Sequence, residues 1–390
     1  MTAGTVGAVV LGGDYQGLGI VRSLGRHGVP VIVADDEHSI SVASRYARHA
    51  VRVPSLRDDR GVLAALAGLR ARYGLRGWVL YPTREEIVAA LARNRAELGG
   101  HFRIPAPDWD SVRIAWDKRE TYRLAAKLGI PIPQSWYPED EAALSHVDGS
   151  AGPYAVKPAI KEHFFYETGV KAWRAEGPEE LREIYRKAAA IAPGEVIVQE
   201  MIPGGGEQQY AYCAFFRDGE PVASMAARRL RQHPSDFGRA STFVESVDPA
   251  LLEEPSVTFL RAMGYYGLVE LEYKLDPRDG EFKLLDVNAR TWGYHTLGRA
   301  AGADFPWLVY RDQIGLPVRP VRARAGVRWA RLVTDLPNAA ADWKAGRLRT
   351  RSYLATLRTI DTEAVFAWAD PLPALYEIAL LPYLAVKRGL

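Results

Sequence analysis

The sequence predicts an α/β protein built from several lobes, and three observations carry that expectation. The chain opens with a strand–turn–helix–strand unit. It carries a strongly alternating strand pair between residues 267 and 290. Its 390 residues exceed what one ordinary hydrophobic core organises. Proline-rich breaks at Pro105-x-Pro107 and at 316–320 (LPVRP) mark candidate boundaries and divide the chain into 1–107, 108–320 and 321–390. A hydrophobic content of 48% and a charged content of 25% are those of a folded globular chain.

In the first unit, residues 6–11 read as a β-branched strand, followed by GGDYQGLG, a helix from about 18 to 27, and a second strand at 29–34 ending in Asp35-Asp36. The glycines fall as G-G-x-x-x-G-x-G, which departs from the G-x-G-x-x-G of dinucleotide sites, while Asp35 keeps an NAD reading open. Glycine lets backbone approach a ligand closely, so residues 12–19 are a candidate cradle for a substrate carboxylate. Residues 58–74 read as an Arg/Ala/Leu-rich helix. Residues 78–82 read as a strand entering another helix, with Thr83 and Glu86 as a capping box.

The second unit carries the chemistry. Asp117-Lys118 opens a helix running to about residue 128, and IPIP at 130–133 is an extended linker. PYAVKP at 153–158 is a short strand bearing Lys157. Two lysines on separate elements can flank a polyphosphate, although either alone also reads as a solvated amine. An apolar strand at 196–198 then runs into Gln199-Glu200, Met201-Ile202 and a Pro-Gly-Gly-Gly turn ending at Glu207. Such a segment can act as a hinge, with Glu200 and nearby backbone on an adenine edge, Met201 and Ile202 on its face, and Glu207 on ribose hydroxyls. The run Arg228-Arg229-x-Arg231 is expected in a loop, with Arg231 as the candidate phosphate contact, because a guanidinium fork suits phosphate oxygens.

The most informative stretch is GLVELEYKLDPRDGEFKLLDVNAR, 267–290. Val269, Leu271, Tyr273 and Leu275 alternate with Glu270, Glu272 and Lys274, and a turn at 276–280 leads to a second strand. There Leu285 and Val287 are expected on one face, with Asp286 and Asn288 on the other. Folding the hairpin gathers Glu272, Asp286 and Asn288 into a cluster of hard oxygen donors with Arg290 beyond it, the sparse carboxylate set that suits Mg²⁺ carrying substrate phosphates. An exposed hairpin with solvated acids is the plainer alternative.

Composition excludes several classes. Formal net charge is only +3 with acids spread throughout, so no basic face for nucleic acid is expected. The single cysteine, Cys213, rules out an intramolecular disulfide or thiolate cluster and reads as a buried thiol in the strand 210–216. No run of 18 apolar residues occurs, and no secretory leader is apparent, so a cytoplasmic protein without a transmembrane segment is expected. Residues 321–390 hold Trp329, Trp343, Trp368, an Arg-rich stretch at 347–351 and an apolar tail at 372–386. That tail is broken by Glu377 and Pro382 and followed by Lys387-Arg388. It is expected to pack on the main body or on a second subunit of a homodimer. Surface association is the alternative if the acceptor substrate is lipid-linked.

Taken together, residues 107–313 resemble the ATP-grasp superfamily. Residues 159–172 together with AARRLRQHPSDFGRAST look most like its carboxylate–amine ligase branch, which includes peptidoglycan D-aspartate ligases. The resemblance implies a Rossmann-like pre-ATP-grasp domain (1–107), a smaller lobe (about 118–203), a larger lobe (about 204–320) and a C-terminal extension (321–390). It implies ATP with Mg²⁺, or Mn²⁺, as cofactors. Lys118 and Lys157 fall on the family's phosphate lysines, Glu200 and Glu207 on its hinge and ribose glutamates, and Glu272, Asp286 and Asn288 on its metal ligands. Arg290 falls on the arginine that ends its metal motif and, in the mechanism the family implies, stabilises a tetrahedral oxyanion. The second metal acid is Asp where Glu is commoner. The stretch 159–172 (AIKEHFFYETGVKA) departs from the family's glycine-rich loop, having one glycine with Lys161, His163 and Lys171. Either its side chains replace the amide cradle or it contacts the second substrate. The implied reaction joins a small-molecule carboxylate and an amine through an acyl phosphate. A γ-phosphate kinase, a non-catalytic ATP sensor and, more distantly, an NAD oxidoreductase are the alternatives.

Overall fold

The computed structural model describes residues 6–147, 152–233, 240–344, 346 and 348–388. The first unit is a five-stranded, wholly parallel sheet in the order Ala47–Arg52, Val31–Asp35, Ala8–Leu11, Trp78–Pro82, Phe102–Arg103. The strand Ala8–Leu11 is buried on both faces, as a continuous apolar run between parallel neighbours requires. Helix Tyr15–Arg26 begins earlier than the pattern suggests because Asp14 caps it, accepting from the Tyr15 amide. Its glycines serve packing. A Cβ on Gly17 would meet the Gly12 carbonyl oxygen at 2.2 Å, and one on Gly19 would meet His295 at 2.5 Å. Among the glycines at 12–19, only Gly12, at φ +95° in the turn before the helix, requires glycine for its backbone. Asp35 accepts from the Gly13 amide (2.6 Å) and pairs with Arg84 (2.8 Å), so the acid that kept the NAD reading open is occupied by its own fold. Thr83 donates to the Leu11 carbonyl and makes no capping box; helix Glu85–Arg93 has no side-chain cap.

The smaller lobe is an antiparallel sheet, Ser135–Trp136, Val196–Glu200, Tyr154–Pro158, Trp173–Ala175, backed by helix Pro178–Ile191. Its core is Tyr154, Val156, Phe164, Leu181, Tyr185 and Val198. Within 159–172, where the sequence suggested a phosphate loop, residues Lys161–Thr168 form a helix that ends at Gly169 in the left-handed conformation. The side chains of Lys161 and His163 lie outside the described residues.

The larger lobe is an eight-stranded sheet. Its path runs Phe282–Asn288, Gly267–Leu275, Gln209–Arg217, Glu220–His233, Ala240–Val247, Arg328–Ala330, Thr362–Glu363, and Val321–Arg322 adds in parallel beside Glu220–His233. Three of these strands come from 321–390, so the boundary expected at 320 falls inside one sheet. Apolar packing also runs without a break from Leu11 and Leu80 of the first unit to Leu271 and Val287 of the hairpin. Cys213 is fully buried, its sulfur 3.8 Å from the Tyr294 hydroxyl.

Candidate functional site

The hairpin forms as the alternation predicts. Glu272 lies directly opposite Asp286, and Glu270 opposite Asn288. The two glutamates share a face of their strand, and the Asn288 amide joins them, donating to Glu272 (3.0 Å) and Glu270 (3.2 Å). One detail differs. The register slips after Glu272, pairing Tyr273 with Leu284, so Leu285 is an extra residue in its strand. Leu285 therefore lines the cleft beside Asp286, while Leu284 joins Val287 in the core.

Cations from three other elements converge on these acids. Lys118, at the start of the Asp117-capped helix Lys118–Lys127, pairs with Asp286. Burial opposes its charge, but Asp286 holds its pKa above the ordinary lysine value. Arg229 pairs with Glu272 at 3.3 Å. Lys157 donates to two neutral acceptors, Tyr122 Oη and Gln199 Oε1, each at 2.7 Å. Burial and the nearby Lys118 charge bring its pKa down to about 7, while Asp286 and Glu272 act in the opposite direction. Burial, with the like charge of Glu272, pushes Glu270 up to about 7; its other oxygen accepts from Tyr294 at 2.6 Å.

Lys118, Lys157, Arg229, Glu272 and Asp286 line one open cleft between the two lobes. Of the expected residues, Lys118, Lys157, Glu200, Met201, Ile202, Glu272 and Asp286 line it. Met201 and Ile202 give it an apolar wall at the hinge, held in place by Lys274, which donates to the Ile202 (2.7 Å) and Gly204 (2.8 Å) carbonyls. The Glu200 carboxylate is engaged within the hinge, accepting from the Gln134 amide (2.9 Å) and Arg278 (2.8 Å). Its amide donates to the Gln134 carbonyl at 2.9 Å, so any contact from this residue to a base edge falls to its own carbonyl. Glu207 is exposed outside the cleft lining, on a single 3₁₀ turn, and accepts from the Gly205 amide.

Asn288 sits behind the two acids, nearly inaccessible, and its Oδ1 accepts from Arg290 at 3.3 Å. Arg290 reaches back to Glu85 of the first unit at 3.2 Å, and this ion pair keeps its pKa above the ordinary value against burial. Arg231 corrects the expectation. Its guanidinium forks onto Asp335 at 2.8 and 2.7 Å between the rings of Phe243 and Tyr353, away from the cleft lining. Arg229 is the arginine the cleft receives. The run 228–231 lies in a strand rather than a loop, and its register slips between Arg229 and Arg231, which oppose the consecutive residues Val244 and Phe243. That bulge turns the two arginines to opposite faces; strict alternation would have kept them together.

The donor set fits Mg²⁺. Glu272 and Asp286 are hard carboxylates at the cleft wall, and Asn288 adds an amide whose Oδ1 becomes a ligand when the group is turned over. Among the described residues no group of three or more His, Cys, Asp or Glu stands as a metal cage. A pair of carboxylates with an amide is the set that leaves coordination positions to phosphate and water. The plainer reading, solvated hairpin acids, does not fit residues that face paired cations inside a cleft.

No family model matches the chain. It is similar to a D-aspartate ligase from Enterococcus faecium, 23% identical over 297 residues, spanning 72% of this chain and 70% of the relative. A carbamoyl phosphate synthase large chain from Thermomicrobium roseum is 21% identical over 83% of this chain, which spans only 29% of that protein. Among solved structures, a biotin carboxylase–β,γ-ATP complex from Campylobacter jejuni superposes with a TM-score of 0.67 at 14% identity, covering 83% of this chain and 74% of that one. An L-amino acid ligase from Bacillus licheniformis gives a TM-score of 0.63 at 15% identity, covering 81% and 78%. The likeness to these structures is one of fold.

Proposed function

We propose that this chain, an ATP-grasp protein, is a carboxylate–amine ligase that uses ATP and releases ADP and phosphate. The observation carrying the reading is the opposed pair Glu272–Asp286, with Lys118 paired to Asp286 and Lys157 nearby, lining a cleft whose hinge wall is apolar. The similarity to a D-aspartate ligase over most of both chains supports the ligase class. The proposed setting is the cytoplasm, where ATP is supplied.

Adenine lies against Met201 and Ile202 with the polyphosphate directed at Lys118 and Lys157, and Glu207 is the proposed ribose contact. Mg²⁺ or Mn²⁺, held by Glu272, Asp286 and Asn288, would offset charge on the β- and γ-phosphates. Arg229 offers a planar fork to the transferred phosphoryl oxygens. A substrate carboxylate oxygen attacks the γ-phosphorus, and the bond to ADP breaks. The amine lone pair then attacks the acyl carbon, the ammonium proton passes to solvent, and the bond to phosphate breaks. Arg290 is the group proposed to stabilise the oxyanion between those events. Side chains here position reactants and stabilise charge.

The test is ADP release against a matrix of small carboxylates, with hydroxylamine as surrogate amine. Hydroxamate with one acid is the expected outcome; EDTA and Glu272→Gln should each abolish it while circular dichroism stays native. ADP without hydroxamate would favour a kinase, and tight ATP binding with no ADP from any acid a sensor.

A further inference from the structure

The segment that follows the last strand of the large sheet exposes apolar surface on an unusual scale. Trp368 is 89% exposed, and Leu375, Ile378 and Leu372 are 62, 61 and 56% exposed. Phe366, 41% exposed, packs edge-on against Trp368 at 4.9 Å. Spacing of three places Leu372, Leu375 and Ile378 along one side of helix Leu372–Arg388. A helix at a protein surface ordinarily turns such a stripe to the core. Here the opposite face docks instead: Glu377 pairs with the buried Arg331 at 2.8 Å, and Ala374 and Leu380, on either side of it, pack against the core.

Charge sorts in the same sense. The segment's two acids are both turned inward. Asp370, 1% exposed, accepts from Arg22 (2.9 Å), Ser44 (2.7 Å) and the Arg45 amide (3.0 Å), and Glu377 is held by Arg331. Residues 366–378 therefore turn no acid of their own outward. Beside it, the exposed Arg45 donates to the Ala369 carbonyl at 3.4 Å, and the same helix runs on to Lys387-Arg388 in the sequence. Large contiguous apolar patches mark interaction sites. A stripe with Trp at its edge and the basic Arg45 at its margin matches a bilayer interface with anionic headgroups. A second copy fits less well, because a two-fold contact sets each patch against its twin and brings two basic margins together.

We propose that residues 366–378 seat this protein on an anionic lipid surface, the helix lying in the plane of the interface with Trp368, Leu372, Leu375 and Ile378 entering the headgroup–acyl boundary. Among the described residues no helix is long and apolar enough to cross a membrane, so the association is peripheral and reversible. It is independent of the reaction at the cleft.

The experiment is co-sedimentation of the full chain with phosphatidylcholine vesicles with and without phosphatidylglycerol, beside light scattering across protein concentration. Binding is expected only to vesicles containing phosphatidylglycerol and should weaken in high salt. It should fall by about tenfold or more in Leu375→Glu and in Trp368→Ser. Nucleotide binding unchanged in both variants shows that the fold survives. Absence of vesicle binding overturns the proposal, and a dimer abolished by Leu375→Glu would then identify a second copy as the occupant.

Discussion

Lys157 is the cleft group whose charge depends most on what binds. With Tyr122 and Gln199 as its hydrogen-bond partners and Lys118 nearby, its pKa is about 7, although Asp286 and Glu272 draw it upward. A bound polyphosphate favours the charged form, so the pKa in the complex is higher than in the free protein. The sign follows. Below pH 7 the ammonium is present in both states and binding takes up little proton. Above pH 7 the free lysine is neutral, binding takes up a proton, and affinity falls by up to about tenfold per pH unit until the bound pKa is reached. Calorimetry in buffers of different ionisation enthalpy should show uptake approaching one proton above pH 7. Lys157→Gln should bind ATP more weakly, with that uptake gone. The existence of this lysine and of Glu272, Asp286 and Asn288 was legible in sequence because each sits on a short, clearly bounded strand. The state of Lys157 was not, since it depends on Tyr122 and Gln199, contributed by a different helix and a different strand.

At the scale of the element, two strand bulges decide which side chains reach the cleft. One sends Leu285 to the cleft beside Asp286, and the other separates Arg229 from Arg231. Period-two reading has no register for an inserted residue, which is why the sequence put Leu285 on a face with Val287 and named Arg231 rather than Arg229, which lines the cleft. The consequence is testable. Arg231→Ala leaves Asp335, fully buried, without its charge partner, a loss on the order of 3–5 kcal/mol. Thermal unfolding should shift down by several degrees while the KM for ATP of the folded fraction stays unchanged. Arg229→Ala should do the reverse, keeping Tm close to the parent and lowering kcat by about a hundredfold or more, as for a lost donor to developing phosphoryl charge. A variant of Arg231 that folds normally yet loses turnover would restore the original assignment. The strands Val321–Arg322, Arg328–Ala330 and Thr362–Glu363 escaped for a simpler reason. Two or three residues carry no period to read, and only partners upstream make them strands, more than eighty residues away for the first two and 33 for Thr362–Glu363.

Across the whole molecule, the smaller lobe meets the first unit through a contact that neither sequence segment announces. Tyr166, on the helix Lys161–Thr168, donates to Glu86, and Arg57 lies over its ring at 4.5 Å. The helix follows Lys157 in the chain, and Lys171 just beyond it lines the cleft, so this contact ties one wall of the cleft to the parallel sheet. Tyr166 is 46% exposed, and the contribution of such a pair is modest, about 0.5–1 kcal/mol for the cation–ring contact with a similar amount for the hydrogen bond. A weak tie suits an element that opens to admit a ligand to the cleft. Tyr166→Phe removes the hydrogen bond and keeps the ring under Arg57; Tyr166→Ala removes both. Amide exchange across 161–169 should therefore quicken by about two- to fivefold in the Phe variant and more in the Ala variant. Exchange in Ala8–Leu11, buried in the parallel sheet, should stay unchanged. Equal exchange in all three proteins would mean that the lobe is held by its hinge at 200–207 alone.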